Sequence, residues 1–326
     1  MRNRFFILWL IWTLMSSLLV YVAVSSDPSN TLPLVISTVL SLSPLMGGIL
    51  ALGSVKSAEQ FKTLLKKSEY SVFYAGIVLT ILFAIPGIVT NTFDPYQTTI
   101  FAFVVFAVFG SMKQLSGGEF KLTWSDLVVW LLLWIPFDLR WYSGMQTGLD
   151  YLWWSQAVSA IAVIGWYGFR DADIGYDLVP GYRDIIVAFI AVLVIFLFVT
   201  PPGLLTGFLK FSLPGQYDIP KLIVHFAGLF VTVALPEELF FRGILLRGLD
   251  NLISKKWVPM AISSVSFGLM HWNNVSDLST QITYVSLATI AGAGYGWAYR
   301  RSGNNLFAPV LTHTLVDWLW KLFLSA

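Results

Sequence analysis

The sequence predicts an all-α protein, a polytopic transmembrane helical bundle of about 9–12 membrane helices with a C-terminal catalytic core. Three observations predict it. Of the 326 residues 56% are hydrophobic and only 12% charged, where a soluble domain carries about 25% charged residues. Mean hydropathy is +0.73, gathered into repeated apolar runs of spanning length. Those runs do not alternate with period two, and in lipid only helices or closed barrels satisfy every backbone group, so the runs are helices.

The first run extends from Phe5 to about Val24, behind Arg2 and Arg4. A cleavable signal peptide has an apolar core of only about 7–15 residues, so this run is expected to be a retained first helix. Ten more spans are expected, at roughly 32–54, 71–90, 98–112, 124–139, 151–169, 184–200, 219–250, 257–271, 279–299 and 304–322. The stretch 219–250 is too long for one simple span, and Pro236 is expected to kink it by removing a helical hydrogen bond. Fourteen Trp suit interfacial belts at headgroup level.

Loop charge sets orientation. Lys56, Lys62, Lys66 and Lys67 share one loop, and Lys113 and Lys121 another. Arg170 and Arg183 flank a third, Arg247, Lys255 and Lys256 crowd a fourth, and Arg300 and Arg301 a fifth. With the helices as drawn, these fall on one face, while SSDPSN, NTFDPYQ and HWNNVSDLST carry no Lys or Arg; Arg140 and Lys210 are the exceptions. The positive-inside rule places the N-terminus in the cytoplasm and the chain in the cytoplasmic membrane as a multi-pass protein. A net charge of +2 argues against a nucleic-acid partner. The absence of cysteine excludes disulfides, thiolate metal sites and a Cys nucleophile. The polar stretch RDADIGYDLVPGYR divides the chain into an accessory membrane region, 1–180, and a functional core, 181–326.

The core contains the chemistry. In EELFFR, Glu237 and Glu238 stand side by side in an apolar run, where one charge costs about 2.5–3.5 kcal/mol on insertion scales. Glu238 and Arg242 are i,i+4 and face each other on a helix. Glu237 points about 100° away and is free to face a cavity. Glu237 is therefore expected to be a general base, with Glu238 and Arg242 as its supporting pair; the reverse assignment is open on geometry alone. FGLMH places His271 at the end of an apolar span, and HTLVD puts His313 and Asp317 at i,i+4 on one helix face. Gly292, Gly294 and Gly296 read as close helix packing. His225 lies twelve residues before Glu237, about 18 Å along the same helix at 1.5 Å per residue, and is expected to be structural or interfacial.

Three motifs thus stand in order: EELFFR, FGLMH and HTLVD. Over about residues 219–321, and loosely from 181, the chain resembles the CPBP family, the CAAX endopeptidase and bacteriocin-processing or Abi family, with its pattern E-E-x-x-x-R, F-x-x-x-H and H-x-x-x-N/D. The resemblance implies an intramembrane endopeptidase of the glutamate type whose cavity opens to the cytosol. It implies that Glu237 and His271 activate a water, that His313 and Asp317 face the oxyanion, and that Glu238 and Arg242 shape the cavity. The prenyl-processing members carry Asn where this chain has Asp317. An ionised Asp only accepts hydrogen bonds, so Asp317 either holds a proton or serves to orient His313. A membrane-embedded or lipidated peptide is the expected substrate, and no cofactor is expected. The alternatives are a zinc metalloprotease using Glu237, His271 and His313 as ligands, a proton-coupled transporter, and a non-catalytic scaffold or immunity protein.

Overall fold

The computed structural model describes residues 4–27, 29–139, 150–212 and 218–325; Arg2 and Arg140, used above for orientation, lie outside the described residues. All eleven expected apolar spans are helical. The chain is an integral, multi-pass, all-α membrane protein. Six helices are long and apolar enough to cross a bilayer by length and composition. Several others fall short in length or, like Leu278–Arg301, in hydropathy.

Contacts divide the chain into two compact units, Met1–Glu119 with Thr123–Asp177, and Phe120–Leu122 with Leu178–Ala326. In the first unit lie α1 (Arg4–Ser25), α2 (Leu32–Leu52), α3 (Val55–Lys67), α4 (Ser71–Thr90), α5 (Pro95–Gln114), α6 (Trp124–Asp138) and α7 (Asp150–Ala162, continued as a π-helical turn Val163–Phe169). Local chemistry starts these helices. Asp94 accepts from the Tyr96 and Gln97 amides with Pro95 at the first helical position, and Thr123 and Asp126 form a capping box. Asp126 also takes Trp166 Nε1 at 2.9 Å and pairs with Arg170 at 3.1 Å, so its buried charge is neutralised.

One sequence expectation fails here. Residues 55–67 were expected to be a basic loop, and they form the amphipathic helix α3. The segment is too polar to read as a span. Its buried Ala58 and Leu65 recur at helical spacing, with Lys66 and Lys67 on the exposed side.

The second unit comprises α8 (Tyr182–Leu205), β1 (Lys210–Phe211), α9 (Ile219–Asp250), α10 (Trp257–Leu269), α11 (Leu278–Arg301), α12 (Phe307–Phe323) and β2 (Leu324–Ser325). The two short strands pair antiparallel, Lys210 with Ser325 and Phe211 with Leu324. Helix α8 packs on α11 and α12, α10 packs on α11, and α9 meets α10, α11 and α12. Asp218 caps α9 through the Lys221 amide, and Asp277 caps α11 through the Thr280 amide.

Helix α9 is not uniform. Two π-helical stretches, Phe230–Ala234 and Leu239–Leu246, flank one α-helical turn, Leu235–Glu238. Pro236 sits in that turn and has no amide to donate. The irregularity expected at Pro236 therefore appears as wide turns on either side, the kind of bulge that often marks functional sites. The turn carries Glu237 and Glu238.

Candidate functional site

Four helices supply the site: α9 with Glu237, Glu238 and Arg242, α10 with Phe267 and the turn at His271, α11 with Gly292 and Tyr295, and α12 with His313 and Asp317. Arg242 Nη1 donates to Glu238 Oε1 at 2.8 Å across one helical turn. Both side chains are fully buried. The second guanidinium nitrogen, Nη2, donates to the Gly292 carbonyl at 2.8 Å. The Arg242 guanidinium also lies over the Phe267 ring, 4.5 Å from its centroid. A buried ion pair survives only when geometry and further hydrogen bonds replace lost water, and Gly292 and Phe267 provide that replacement.

His313 joins the two glutamates. Its Nδ1 lies 2.8 Å from Glu238 Oε1, the same oxygen that Arg242 reaches. Its Nε2 lies 3.4 Å from Asp317 Oδ2 and 3.8 Å from Glu237 Oε2. An imidazole with carboxylate oxygens at both nitrogens satisfies both only if two protons are shared among the ring and the acids. The ring is held flat by Tyr295, stacked at 4.5 Å between centroids and 14° between planes, and edge-on by Phe267 at 5.6 Å.

The two carboxylates of EELFFR have different surroundings. Glu238 is anchored through Oε1, although its Oε2 has no hydrogen-bond partner. Glu237 makes no direct hydrogen bond to any described residue, its Oε2 is buried without a partner, and its side chain is 15% exposed. Glu237 is thus the carboxylate without a fixed hydrogen-bond partner.

No hydrogen bond joins His271 to Glu237 among the described residues. Its Nδ1 lies 2.9 Å from the Phe267 carbonyl, which can only accept, so Nδ1 donates. In the neutral ring this leaves a lone pair on Nε2. The ring packs against Phe267 at 4.9 Å and Tyr284 at 5.1 Å. A cavity of about 250 Å³ is lined by His271, His313 and Asp317, with Tyr284, Trp320 and Lys321 among its other walls. Glu237 is not a lining residue; its Oε2 lies 3.8 Å from His313 Nε2. Tyr284, Tyr295, Trp320 and Lys321 were not singled out in the sequence as site residues. Tyr295 lies in AGAGYGWAY, which reads as packing, and only the fold turns its ring onto His313. His225 Nε2 is buried without a hydrogen-bond partner among the described residues.

The glycines of α11 do pack closely. A Cβ at Gly292 would stand 3.1 Å from Phe267 and 3.2 Å from Arg242 Nη2, and Cβ atoms at Gly294 and Gly296 would collide with Ile195 and Met260. Gly292→Ala is expected to destabilise the protein by about 1–3 kcal/mol through overpacking against Arg242 and Phe267. Thermal unfolding in detergent checks this, and an unchanged Tm would show that α11 does not approach α9 and α10 as closely as drawn.

Among the described residues no group of three or more His, Asp and Glu is placed to hold a metal ion. His271 holds Nδ1 on a backbone carbonyl and keeps Nε2 free, whereas both His313 nitrogens face carboxylates.

The cavity occupies one half of its unit. It is lined by Val199 late in α8, His271 beyond α10, Tyr284 and Leu287 early in α11, and Trp320 late in α12. Arg183, Arg247, Lys255, Lys256, Arg300 and Arg301 lie at the opposite ends of those helices and of α9. A cytosolic cavity, as the resemblance implied, and cytosolic basic loops, as charge bias implied, therefore point to opposite ends of this unit. Both expectations cannot hold together.

Residues 219–319 match the family model described as Type II CAAX prenyl endopeptidase Rce1-like. The matched segment contains EELFFR, FGLMH and HTLVD, consistent with a CPBP family protein, and supports an intramembrane endopeptidase in general. No curated protein and no solved structure matched the chain.

Proposed function

We propose that the chain is an intramembrane endopeptidase of the glutamate type, with Glu237 as general base and no metal in the reaction. The observation that carries this reading is the contrast between the two carboxylates: Glu238 is pinned by Arg242 and His313, while Glu237 Oε2 is unpartnered and 3.8 Å from His313 Nε2. That separation is too long for a direct hydrogen bond, so Glu237 keeps its lone pairs for a water that enters the site.

Glu237 takes a proton from this water as its oxygen adds to the scissile carbonyl carbon. The carbonyl π electrons pass to oxygen, giving a tetrahedral oxyanion. His313 Nε2–H is the donor best placed for that oxyanion once substrate displaces Asp317, and Glu238 holds the ring in position through Nδ1. A preorganised donor of this kind is commonly worth about 2.7–4 kcal/mol. His271 presents its Nε2 lone pair to the cavity and accepts a hydrogen bond from the water. The intermediate collapses as the C–N bond breaks, and the proton held by Glu237 goes to the leaving amine. No covalent enzyme intermediate forms. The substrate is a membrane-associated lipidated or prenylated peptide, in keeping with a cavity walled by Phe267, Val199 and Leu287.

The purified protein in liposomes, given lipidated peptides, tests this. Cleavage that survives full chelation and disappears in Glu237→Gln is expected. Cleavage lost to chelation and restored by zinc would replace this mechanism with a metalloprotease. A biological phenotype retained by Glu237→Ala would instead identify a scaffold. Comparing membrane proteomes from cells with the wild type and with Glu237→Gln is expected to reveal the substrate as the protein that accumulates uncleaved.

A further inference from the structure

We infer that the cavity is entered from the membrane face opposite the basic loops, the extracytoplasmic face, so that its substrate is a peptide segment presented on that side. The substrate class rests on the endopeptidase reading; the side of entry does not.

Helix lengths carry the inference. Helix α10 has 13 residues and its neighbour α11 has 24. At 1.5 Å per residue these span about 20 Å and about 36 Å, against a hydrocarbon core of about 30 Å. Helix α10 starts directly after Lys255 and Lys256, at the basic end. It therefore stops roughly 10 Å short of the far boundary. His271 and the 3₁₀ turn Trp272–Asn274 lie at that depth. Non-helical backbone is tolerated within the membrane only where protein buries it or where it lines a water-filled cavity. Trp272, Asn273 and Asn274 are exposed, so protein does not bury them. The short helix thus leaves an aqueous vestibule, with His271 at its floor and Asp277, Thr280 and Lys321 nearer its mouth.

The other end is closed. Arg300 makes a two-pronged pair with Asp250 at 2.6 and 3.1 Å and donates to the Lys256 carbonyl. Lys256 Nζ donates to the Asp250 carbonyl at 2.6 Å, and Arg183 donates to the Arg301 carbonyl. These bonds tie the ends of α8, α9, α10 and α11 together. In this unit the open end carries Lys210, Lys221 and Lys321, fewer basic residues than Arg183, Arg247, Lys255, Lys256, Arg300 and Arg301 at the closed end. The positive-inside rule puts the closed end in the cytoplasm.

The chain has no cysteine, so single-cysteine labelling has no background. The probe is a membrane-impermeant maleimide, applied to intact cells and to inside-out vesicles carrying the full chain. Asn274→Cys at the vestibule and Ser254→Cys at the closed end are both exposed positions that leave every basic residue in place. Asn274→Cys is expected to label in intact cells, and Ser254→Cys only in inside-out vesicles. The reverse pattern overturns the proposal by placing the vestibule on the cytoplasmic face. Asn274→Cys that labels from neither side until detergent is added also overturns it, because the vestibule is then dry. Labelling needs no turnover, so the expected pattern in a protein that cleaves nothing would sink the endopeptidase reading alone.

Discussion

Arg242→Leu is expected to destabilise the protein by about 3–5 kcal/mol, the usual result of removing one partner from a buried ion pair. The substitution strips Glu238 Oε1 of its 2.8 Å partner and leaves the Gly292 carbonyl without a donor. The guanidinium stacking on Phe267 is lost with it. Most of the loss comes from stranding a charge, so pairing Arg242→Leu with Glu238→Gln is expected to recover part of the stability. Unfolding of the single and double variants in detergent measures this coupling. A single variant as stable as the wild type would mean that Glu238 does not carry a charge in the folded protein. Glu238 also holds His313, so the double variant is expected to regain stability without regaining activity.

Glu237→Gln has the opposite profile. It is expected to lower kcat about 10²–10⁴-fold, the usual contribution of a positioned general base, while leaving KM and Tm near wild type. Glutamine keeps the shape of the side chain but cannot take a proton from water. Stability is spared because Glu237 makes no direct hydrogen bond to lose. A loss confined to kcat and kcat/KM marks an interaction made only in the transition state. A Glu237→Gln protein within tenfold of wild type would move the base elsewhere in the cluster. The two variants together test whether Glu237 acts as the base and Glu238 supports it.

The parts of the site that local geometry governs were legible in the sequence. Glu238 and Arg242 are four residues apart on one helix, so their pairing follows from helical pitch. The same holds for His313 and Asp317. The bond between Glu238 and His313 was not legible, because it joins residues 75 positions apart. Nor was the bond from Arg242 to Gly292, on a helix otherwise read as packing. The resemblance implied that Glu237 and His271 activate one water, and the fold also sets His313 Nε2 3.8 Å from Glu237 Oε2. Helix α3 escaped for a different reason. Hydropathy registers spans, and an amphipathic helix averages its apolar and charged faces toward zero.

By itself the sequence determined that this is a helical membrane protein, roughly where its spans lie, and which residues bear ionisable groups at membrane depth. Hydrophobic run length and the cost of burying charge are properties of the chain as written, readable without coordinates. Only the tertiary structure decided which carboxylate His313 anchors, which one is left without a hydrogen bond, and which end of the helical unit holds the cavity. Those outcomes depend on how far each helix extends and on which side chains distant segments bring into contact. Helix packing sets them through many small, non-local contacts that no single stretch of sequence contains.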